Sequence, residues 1–142
     1  MDGIAATDGE VFVWPIRVYY EDTDASGVVY HARYLHWFER VRSEWLRAKG
    51  RSHRHLAEGF GAAFTVASID IRYRQPARLD DALQATVRVS HYGRASLVFE
   101  QQLLRPGQSP PQILLATASV KVACVDTGSF KPRPWPSGWL EP

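Results

Sequence analysis

The sequence has very little cysteine: Cys124 is the single one among 142 residues. A lone cysteine excludes an internal disulfide framework and fits a reducing compartment. The chain also lacks any run approaching the roughly 20 apolar residues that a membrane-spanning helix needs. Its first residues have neither the basic start nor the long apolar run of a secretory signal. These absences predict a cytoplasmic protein without a membrane span.

A strong excess of charge is lacking as well. The 17 basic and 15 acidic residues leave a net charge of +2. That balance does not favour a general nucleic-acid surface, although it permits a local basic site for a small anionic ligand. Clustered cysteines and histidines at helical i, i+4 spacing are also missing, so the sequence predicts no metal site. What the chain does have is 45% apolar residues, enough for the core of one domain.

A helical hydrophobic period dominates the first third of the chain. Apolar residues recur at steps of four, three, four and three, at Tyr34, Phe38, Val41, Trp45 and Ala48. This pattern predicts a helix that opens within residues 28–34, ends near residue 50 and buries an aromatic face. Residues 51–61 are compatible with either a short second helix or a loop.

Alternating apolar residues predict strands on both sides of this helix. One strand covers residues 11–20, with Pro15 as a point of interruption. Four more follow the helix as a meander, within residues 67–73, 83–89, 97–103 and 114–124. The order predicts an α+β fold with one long helix wrapped by a curved antiparallel sheet of about five strands.

Three parts of the chain differ in composition. Residues 1–10 are polar and predict a loose lead-in, and residues 11–130 hold the predicted domain. The last segment, 131–142, is rich in proline and tryptophan. Because proline cannot donate to a ladder, this tail cannot be a central strand, and we expect it to lie along the surface.

The chemistry-bearing segment is the loop that precedes the long helix. It places the carboxylate of Asp24 shortly before a helix start, where backbone N–H groups are unpaired and carry partial positive charge. Such donors can stabilise a carbonyl oxygen as it becomes an oxyanion, and their field should keep Asp24 ionised. Gly27 has no Cβ and allows a substrate to approach the backbone. One carboxylate with these donors can suffice for a thioester, because a thiolate is a good leaving group.

This segment also carries a family resemblance. The run YEDTDASGVVYHARY, residues 20–34, resembles the signature of hot-dog-fold thioesterases of the 4-hydroxybenzoyl-CoA thioesterase type, and is most similar to their Tol–Pal-associated acyl-CoA thioesterase subgroup. The similarity continues through residues 38–46, 70–73, 76–81 and 120–126, and covers about residues 14–128. It implies a hot-dog fold and hydrolysis of acyl-CoA thioesters. It also implies homodimers or homotetramers with sites at the dimer interface.

The resemblance assigns roles to individual residues. Asp24 matches the family's nucleophile or general base. His31 matches a helix-start position whose backbone N–H polarises the thioester carbonyl, and its side chain is implicated in catalysis in this subgroup. Arg94 matches a turn where family members place basic residues that meet the CoA phosphates. No cofactor is implied beyond the CoA portion of the substrate.

Three further residues are predicted to contact substrate: Gly27, Tyr30 and Tyr34. The chain departs from the family at Ser26, where glycine is usual, and a left-handed backbone at this serine would be strained. Asp22 and Glu21, in the same loop, are expected to be structural, since carboxylates there favour local hydrogen bonds.

Two other functions remain open at this point. A hot-dog enoyl-thioester hydratase or dehydratase would use Asp24 and His31 as an acid–base pair, but their spacing of seven residues and the signature fit thioesterases better. A non-catalytic acyl-CoA-binding module would share the fold and the groove without turnover. Acyl-chain preference, a covalent or general-base mechanism, dimer or tetramer, and acyl carrier protein as a second partner are left undecided.

Overall fold

The computed structural model describes residues 10–107 and 112–140, and these form one antiparallel sheet with two helices. The elements in chain order are β1 (Phe12–Arg17), a short 3-10 turn (Tyr20–Asp22), α1 (His31–Ala48), α2 (His53–Phe60), β2 (Ala62–Tyr73), β3 (Ala82–Tyr92), β4 (Ser96–Pro106) and β5 (Gln112–Asp126). The predicted α+β class, the long helix and the five strands are confirmed.

Helix α1 packs through the stripe that its period defines. The buried residues on this face are Tyr34, Trp37, Phe38, Val41, Trp45 and Leu46. They meet the inward-facing residues of the sheet, and the T-shaped contact between Trp45 and Phe99 joins α1 to β4 at 5.2 Å between ring centroids. One continuous apolar core therefore lies between the helix and the concave side of the sheet.

The strand order is β1-β3-β4-β5-β2. Strands β3, β4 and β5 form the predicted meander, but β2 pairs with β5 and not with β3, so the meander prediction is wrong for β2. The alternation of apolar and polar residues shows which residues share a face of the sheet, but it does not show which strands are hydrogen-bonded to each other. Strands β1 and β2 are consequently the two edges, and Pro15 is tolerated because β1 is an edge strand.

The C-terminal tail contributes to the core. Trp139 and Leu140 are only 5% and 9% exposed, so the expectation that the tail lies along the surface is wrong for these two residues. Hydrogen bonds to its backbone hold the tail, including one that Arg51 Nε donates to the Trp139 carbonyl at 3.2 Å. Prolines exclude this segment from the interior of the sheet, but they do not prevent the large side chains between them from filling a gap in the core.

Candidate active site

The loop that carries Asp24 folds back along the residues that lead into α1. Thr23 forms an antiparallel bridge with Val29, and Asp24 N donates to the Val28 carbonyl at 3.0 Å. On the side of the helix, Tyr30 N donates to the Asp22 carbonyl at 3.0 Å. These backbone hydrogen bonds therefore place Asp24 opposite Val28. Val28 is three residues before His31, the first residue of α1.

Asp22 is a structural carboxylate, as predicted. It is 6% exposed and accepts a hydrogen bond from Tyr19 N at 2.8 Å. Its other oxygen lies 3.6 Å from Arg33 Nε on α1. These contacts tie the loop to the first turn of the helix and leave Asp22 no freedom to act on a substrate.

The Asp24 side chain, by contrast, is exposed and held through one oxygen. Asp24 Oδ1 accepts hydrogen bonds from Ser26 N at 2.9 Å and from Ser26 Oγ at 2.6 Å. The Ser26 hydroxyl, followed by the Ser26 backbone N–H, lowers the pKa of Asp24 below its ordinary value. An ionised carboxylate was expected from the helix field, but the lowered pKa has its source in the neighbouring serine.

Gly27 provides the sharp turn in this loop. Its φ of +83° favours glycine, although a Cβ built there would meet nothing within 4 Å. Ser26 is not among the non-glycine residues with positive φ, which in the described part of the chain are Asp80 and Phe130. The strain considered for Ser26 is therefore absent, because the left-handed position falls one residue later.

A second loop, residues 77–81, lies against the first. Val29 N donates to the Ala77 carbonyl at 2.9 Å, Val28 bridges to Arg78, and Leu79 N donates to the Gly27 carbonyl at 3.3 Å. This loop joins β2 to β3, so the ends of both strands are fixed at the same end of the sheet as Asp24.

The start of α1 has no side-chain cap. Its N-cap residue is Tyr30, which makes no capping hydrogen bond through its side chain. Arg33 N donates to the Tyr30 carbonyl at 2.9 Å, whereas the N–H groups of His31 and Ala32 have no acceptor within an α-helix of this register. The first turn thus offers donors of the kind that can hold a carbonyl oxygen.

Aromatic rings surround this helix start. The ring of Tyr30 lies 4.5 Å from that of His31 between centroids, and the Tyr73 ring meets His31 in a T-shaped contact at 6.3 Å. Tyr73 Oη donates to the His31 carbonyl at 3.0 Å. Tyr73 escaped the sequence analysis because nothing local indicates a contact with a residue 42 positions away. In the described residues no hydrogen bond links His31 to Asp24.

Tyr34 is buried, as the helical pattern predicted. It is 3% exposed, and its hydroxyl accepts a hydrogen bond from Ala77 N at 2.9 Å. Burial raises the pKa of Tyr34, so the phenol stays neutral. Its visible role is to anchor the 77–81 loop to α1, and the substrate contact of Tyr34 stays a prediction.

Arg94 lies at the opposite end of the sheet from Asp24, in the turn between β3 and β4. Strand β3 begins beside the Asp24 loop and ends at Tyr92, so about 30 Å of strand separates the two regions at roughly 3.3 Å per residue. The turn that carries Arg94 is bonded to the tail, with Trp135 N donating to the Arg94 carbonyl at 3.0 Å. Within one chain Asp24, Gly27, Tyr30 and His31 come together and Arg94 does not, so the predicted role of Arg94 at this site would need a second copy.

Residues 10–107 and 112–140 contain no group of three or more His, Cys, Asp or Glu side chains placed to hold a metal ion. Over the same residues, none of the helices has the length and apolar character needed to cross a membrane. The candidate site contains the Asp24 carboxylate, the Ser26 hydroxyl, the first amides of α1 and the aromatic rings around His31.

Comparison with known proteins identifies the family. The family model described as "Thioesterase superfamily" matches residues 26–111. The acyl-CoA thioesterase YbgC of Haemophilus influenzae is 49% identical over 125 residues, which are 88% of each protein. The chain belongs to the thioesterase superfamily.

Solved structures of the superfamily agree with the fold. A probable thioesterase from Bartonella henselae has a TM-score of 0.81 at 39% identity, covering 89% of this chain and 99% of that one. A 4-hydroxybenzoyl CoA thioesterase in complex with 4-hydroxybenzoyl CoA has a TM-score of 0.83 at 16% identity, covering 91% of this chain and 95% of the other, and shows the fold alone. The chain therefore has the hot-dog fold of this superfamily, as predicted from the sequence. The family match begins at residue 26, so Asp24 lies just outside it.

Proposed function

We propose that this protein hydrolyses acyl-CoA thioesters to the free acid and CoA, with Asp24 as nucleophile or general base. The observation that carries the proposal is an exposed carboxylate of lowered pKa on a loop bonded to the entry of an uncapped helix. A relative at 49% identity named acyl-CoA thioesterase supports the substrate class.

The reaction needs few groups. The thioester oxygen would accept hydrogen bonds from the first amides of α1 near His31, which stabilise the charge that develops there. Asp24 either attacks the carbonyl carbon, giving an anhydride that water then opens, or takes a proton from the water that attacks. In both routes the C–S bond breaks, water supplies the hydroxyl of the acid, and its proton ends on the CoA thiol. No cofactor enters the proposed reaction.

A partner subunit offers a way to bring Arg94 to this site. Tyr73, at the C-terminal end of edge strand β2, contacts His31, whereas Ala62, at the other end, pairs with Asp126 beside the Arg94 turn. If two copies join antiparallel through β2, the Ala62 end of one lies beside the Tyr73 end of the other. We therefore propose a homodimer, or a tetramer of two such dimers, in which Arg94 of one copy serves CoA bound near Asp24 of the other.

Several further features belong to the same proposal. CoA phosphates are suitable partners for a guanidinium, which supports Arg94 as their contact. Acyl carrier protein is a second source of the acyl thioester that the same chemistry would accept. A cytoplasmic location agrees with the free, buried thiol of Cys124, because reduced cysteines persist there.

Substituting Asp24 tests the proposal. Asp24→Asn keeps the shape of the side chain and removes its charge and basicity, so we expect kcat for thiol release from acyl-CoA to fall by about 100-fold or more. Thiol release is followed with a chromogenic disulfide, and far-UV circular dichroism verifies the fold. Asp126→Asn is the matched control for kcat, because Asp126 is another carboxylate that accepts hydrogen bonds from a nearby serine and is not one of the proposed reacting groups.

Two results would contradict the proposal. One is a folded Asp24→Asn protein that releases thiol at close to the parent rate. The other comes from an enoyl-CoA substrate: loss of the enoyl absorbance without thiol release would replace hydrolysis by hydration.

A further inference from the structure

The two oxygens of Asp24 have different environments. Oδ1 accepts both hydrogen bonds from Ser26, one from the hydroxyl at 2.6 Å and one from the backbone N–H at 2.9 Å. Oδ2 accepts none from the described residues. A carboxylate held by two donors on one oxygen has a defined orientation, and its second oxygen is left for another partner.

We propose that Ser26 is a positioning residue for hydrolysis: its hydroxyl holds Asp24 through Oδ1 so that Oδ2 is the oxygen presented to the thioester or to the attacking water. This inference rests on the proposed role of Asp24.

The hydroxyl also affects the charge of Asp24. Hydrogen bonds donated to a carboxylate favour its ionised form, and charge-assisted bonds are stronger than neutral ones. The Ser26 hydroxyl is the largest contribution that lowers the pKa of Asp24. Because only the ionised carboxylate can attack or accept a proton, Ser26 extends the active pH range towards acid.

The backbone explains why a side chain fits here. Gly27 takes the left-handed conformation of this turn at φ +83°, so position 26 needs no glycine. A glycine at 26 would keep the backbone N–H donor and lose the hydroxyl, whereas threonine would keep both. The effect of the hydroxyl can therefore be separated from that of the loop.

The chain contains its own control for this arrangement. At the other end of the sheet, Asp126 Oδ2 accepts hydrogen bonds from Gly128 N and Ser129 N at 3.0 Å and from Ser129 Oγ at 3.3 Å. These bonds lower the pKa of Asp126, with the Ser129 backbone N–H as the largest cause. Ser129→Ala removes the same kind of hydroxyl from a carboxylate that takes no part in the proposed bond making or bond breaking.

The experiment compares the pH dependence of kcat for acyl-CoA hydrolysis in the parent protein and in Ser26→Ala, Ser26→Gly, Ser26→Thr and Ser129→Ala. We expect the acid limb to move to higher pH in the Ala and Gly variants and to keep its position in Ser26→Thr and Ser129→Ala. Within that limb the rate should fall about tenfold for each pH unit of displacement, with a smaller loss on the plateau. Carbon NMR titration of the Asp24 carboxyl, assigned by its loss in Asp24→Asn, gives the same shift without relying on turnover.

Two outcomes would overturn the inference. An acid limb and an Asp24 titration unchanged in Ser26→Ala would show that the hydroxyl has no effect. A shift in Ser26→Thr equal to that in Ser26→Ala would assign the effect to the loop and not to the hydroxyl. Either result leaves the role of Asp24 intact if Asp24→Asn is inactive, whereas an active Asp24→Asn protein removes the proposed function itself.

Discussion

A small group of polar side chains away from the Asp24 loop links α1 to α2. Ser43 Oγ on α1 donates to Glu39 Oε2 at 2.7 Å and lies 3.0 Å from His53 Nε2, at the start of α2. Because the hydroxyl proton goes to Glu39, a neutral His53 would donate its Nε2–H to Ser43. Burial, as the largest cause, lowers the pKa of His53.

This lowered pKa predicts a dependence of stability on pH. The ordinary histidine pKa is 6.5, and the folded value lies below it. As the pH falls through 6.5, the unfolded chain binds a proton at His53 before the folded chain does, so the free energy of unfolding decreases. Above 6.5 both states are neutral at this group, and its contribution to the pH dependence vanishes.

Urea unfolding from pH 8 to pH 5 measures this effect. We expect His53→Gln to lose less stability on acidification than the parent protein, because glutamine does not titrate. His36→Gln, at an exposed position of α1, is the control for replacing a histidine by glutamine. Equal slopes in the parent and in His53→Gln would show that His53 does not couple folding to protons.

The part of the candidate site that could be predicted consists of residues that are close together in the sequence. The loop, the carboxylate and the helix start are adjacent in sequence, so Asp24, Gly27 and His31 could be placed near one another without coordinates. Tyr73 could not, because its contact with His31 depends on how β2 crosses the molecule. Tyr34 was assigned to the right helix face, but only the hydrogen bond from Ala77 shows what its hydroxyl does.

The hydrophobic period of the sequence was enough to predict whether a segment is a helix or a strand. It was not enough to predict which strands pair with one another. The helical repeat located α1, and strict alternation located β3, β4 and β5. Strand β2 begins at Ala62, five residues before the predicted segment at 67, because residues 62–66 pair with β5 although their sequence does not alternate clearly. Residues 74–81 connect β2, at one edge of the sheet, to β3, which lies on the far side of β4 and β5. No local sequence pattern indicates this connection, so the pairing of β2 with β5 could not be predicted.

The tail yields a prediction about packing. Trp139 is buried, and its Nε1 has no hydrogen-bond partner among the described residues. Trp139→Ala should lower the free energy of unfolding by about 3–5 kcal/mol, because it opens a cavity in the core. Trp139→Phe should cost clearly less, since it retains most of the apolar volume and loses no hydrogen bond.

Urea denaturation measures these free energies of unfolding, and an m-value equal to that of the parent shows that the variants can be compared. Phe130→Ala is the control, because Phe130 is 73% exposed and should change stability by no more than about 0.5 kcal/mol. If Trp139→Ala proves as mild as Phe130→Ala, the tail is not part of the core in solution.

At the scale of the whole molecule, the free edge of β2 lacks a neighbouring strand within one chain. This strand pairs with β5 on one side only, and its exposed apolar residues are Val66, Ile69 and Tyr73. A long edge with exposed apolar side chains favours pairing with a second strand. A two-fold antiparallel pairing would cover this edge and would also bring the Arg94 turn of one copy to the Asp24 end of the other.

Ile69→Lys tests both consequences together. A lysine at this edge would have to be desolvated in the paired state, so we expect sedimentation equilibrium to show dissociation to monomers at concentrations where the parent is dimeric or tetrameric. Leu35→Lys is the matched control, because Leu35 is 37% exposed against 39% for Ile69 and lies on α1 and not on β2.

The kinetics of the dissociated protein then show what the partner supplies. If Arg94 of the partner binds the CoA phosphates, the monomer should have a higher KM for acyl-CoA, while its KM for an acyl-pantetheine thioester, which lacks the nucleotide, should change much less. A monomeric Ile69→Lys protein with the parent KM for acyl-CoA would show that one chain holds the whole CoA site. The basic side chain would then have to be sought close to Asp24, where Arg78 lies opposite Val28.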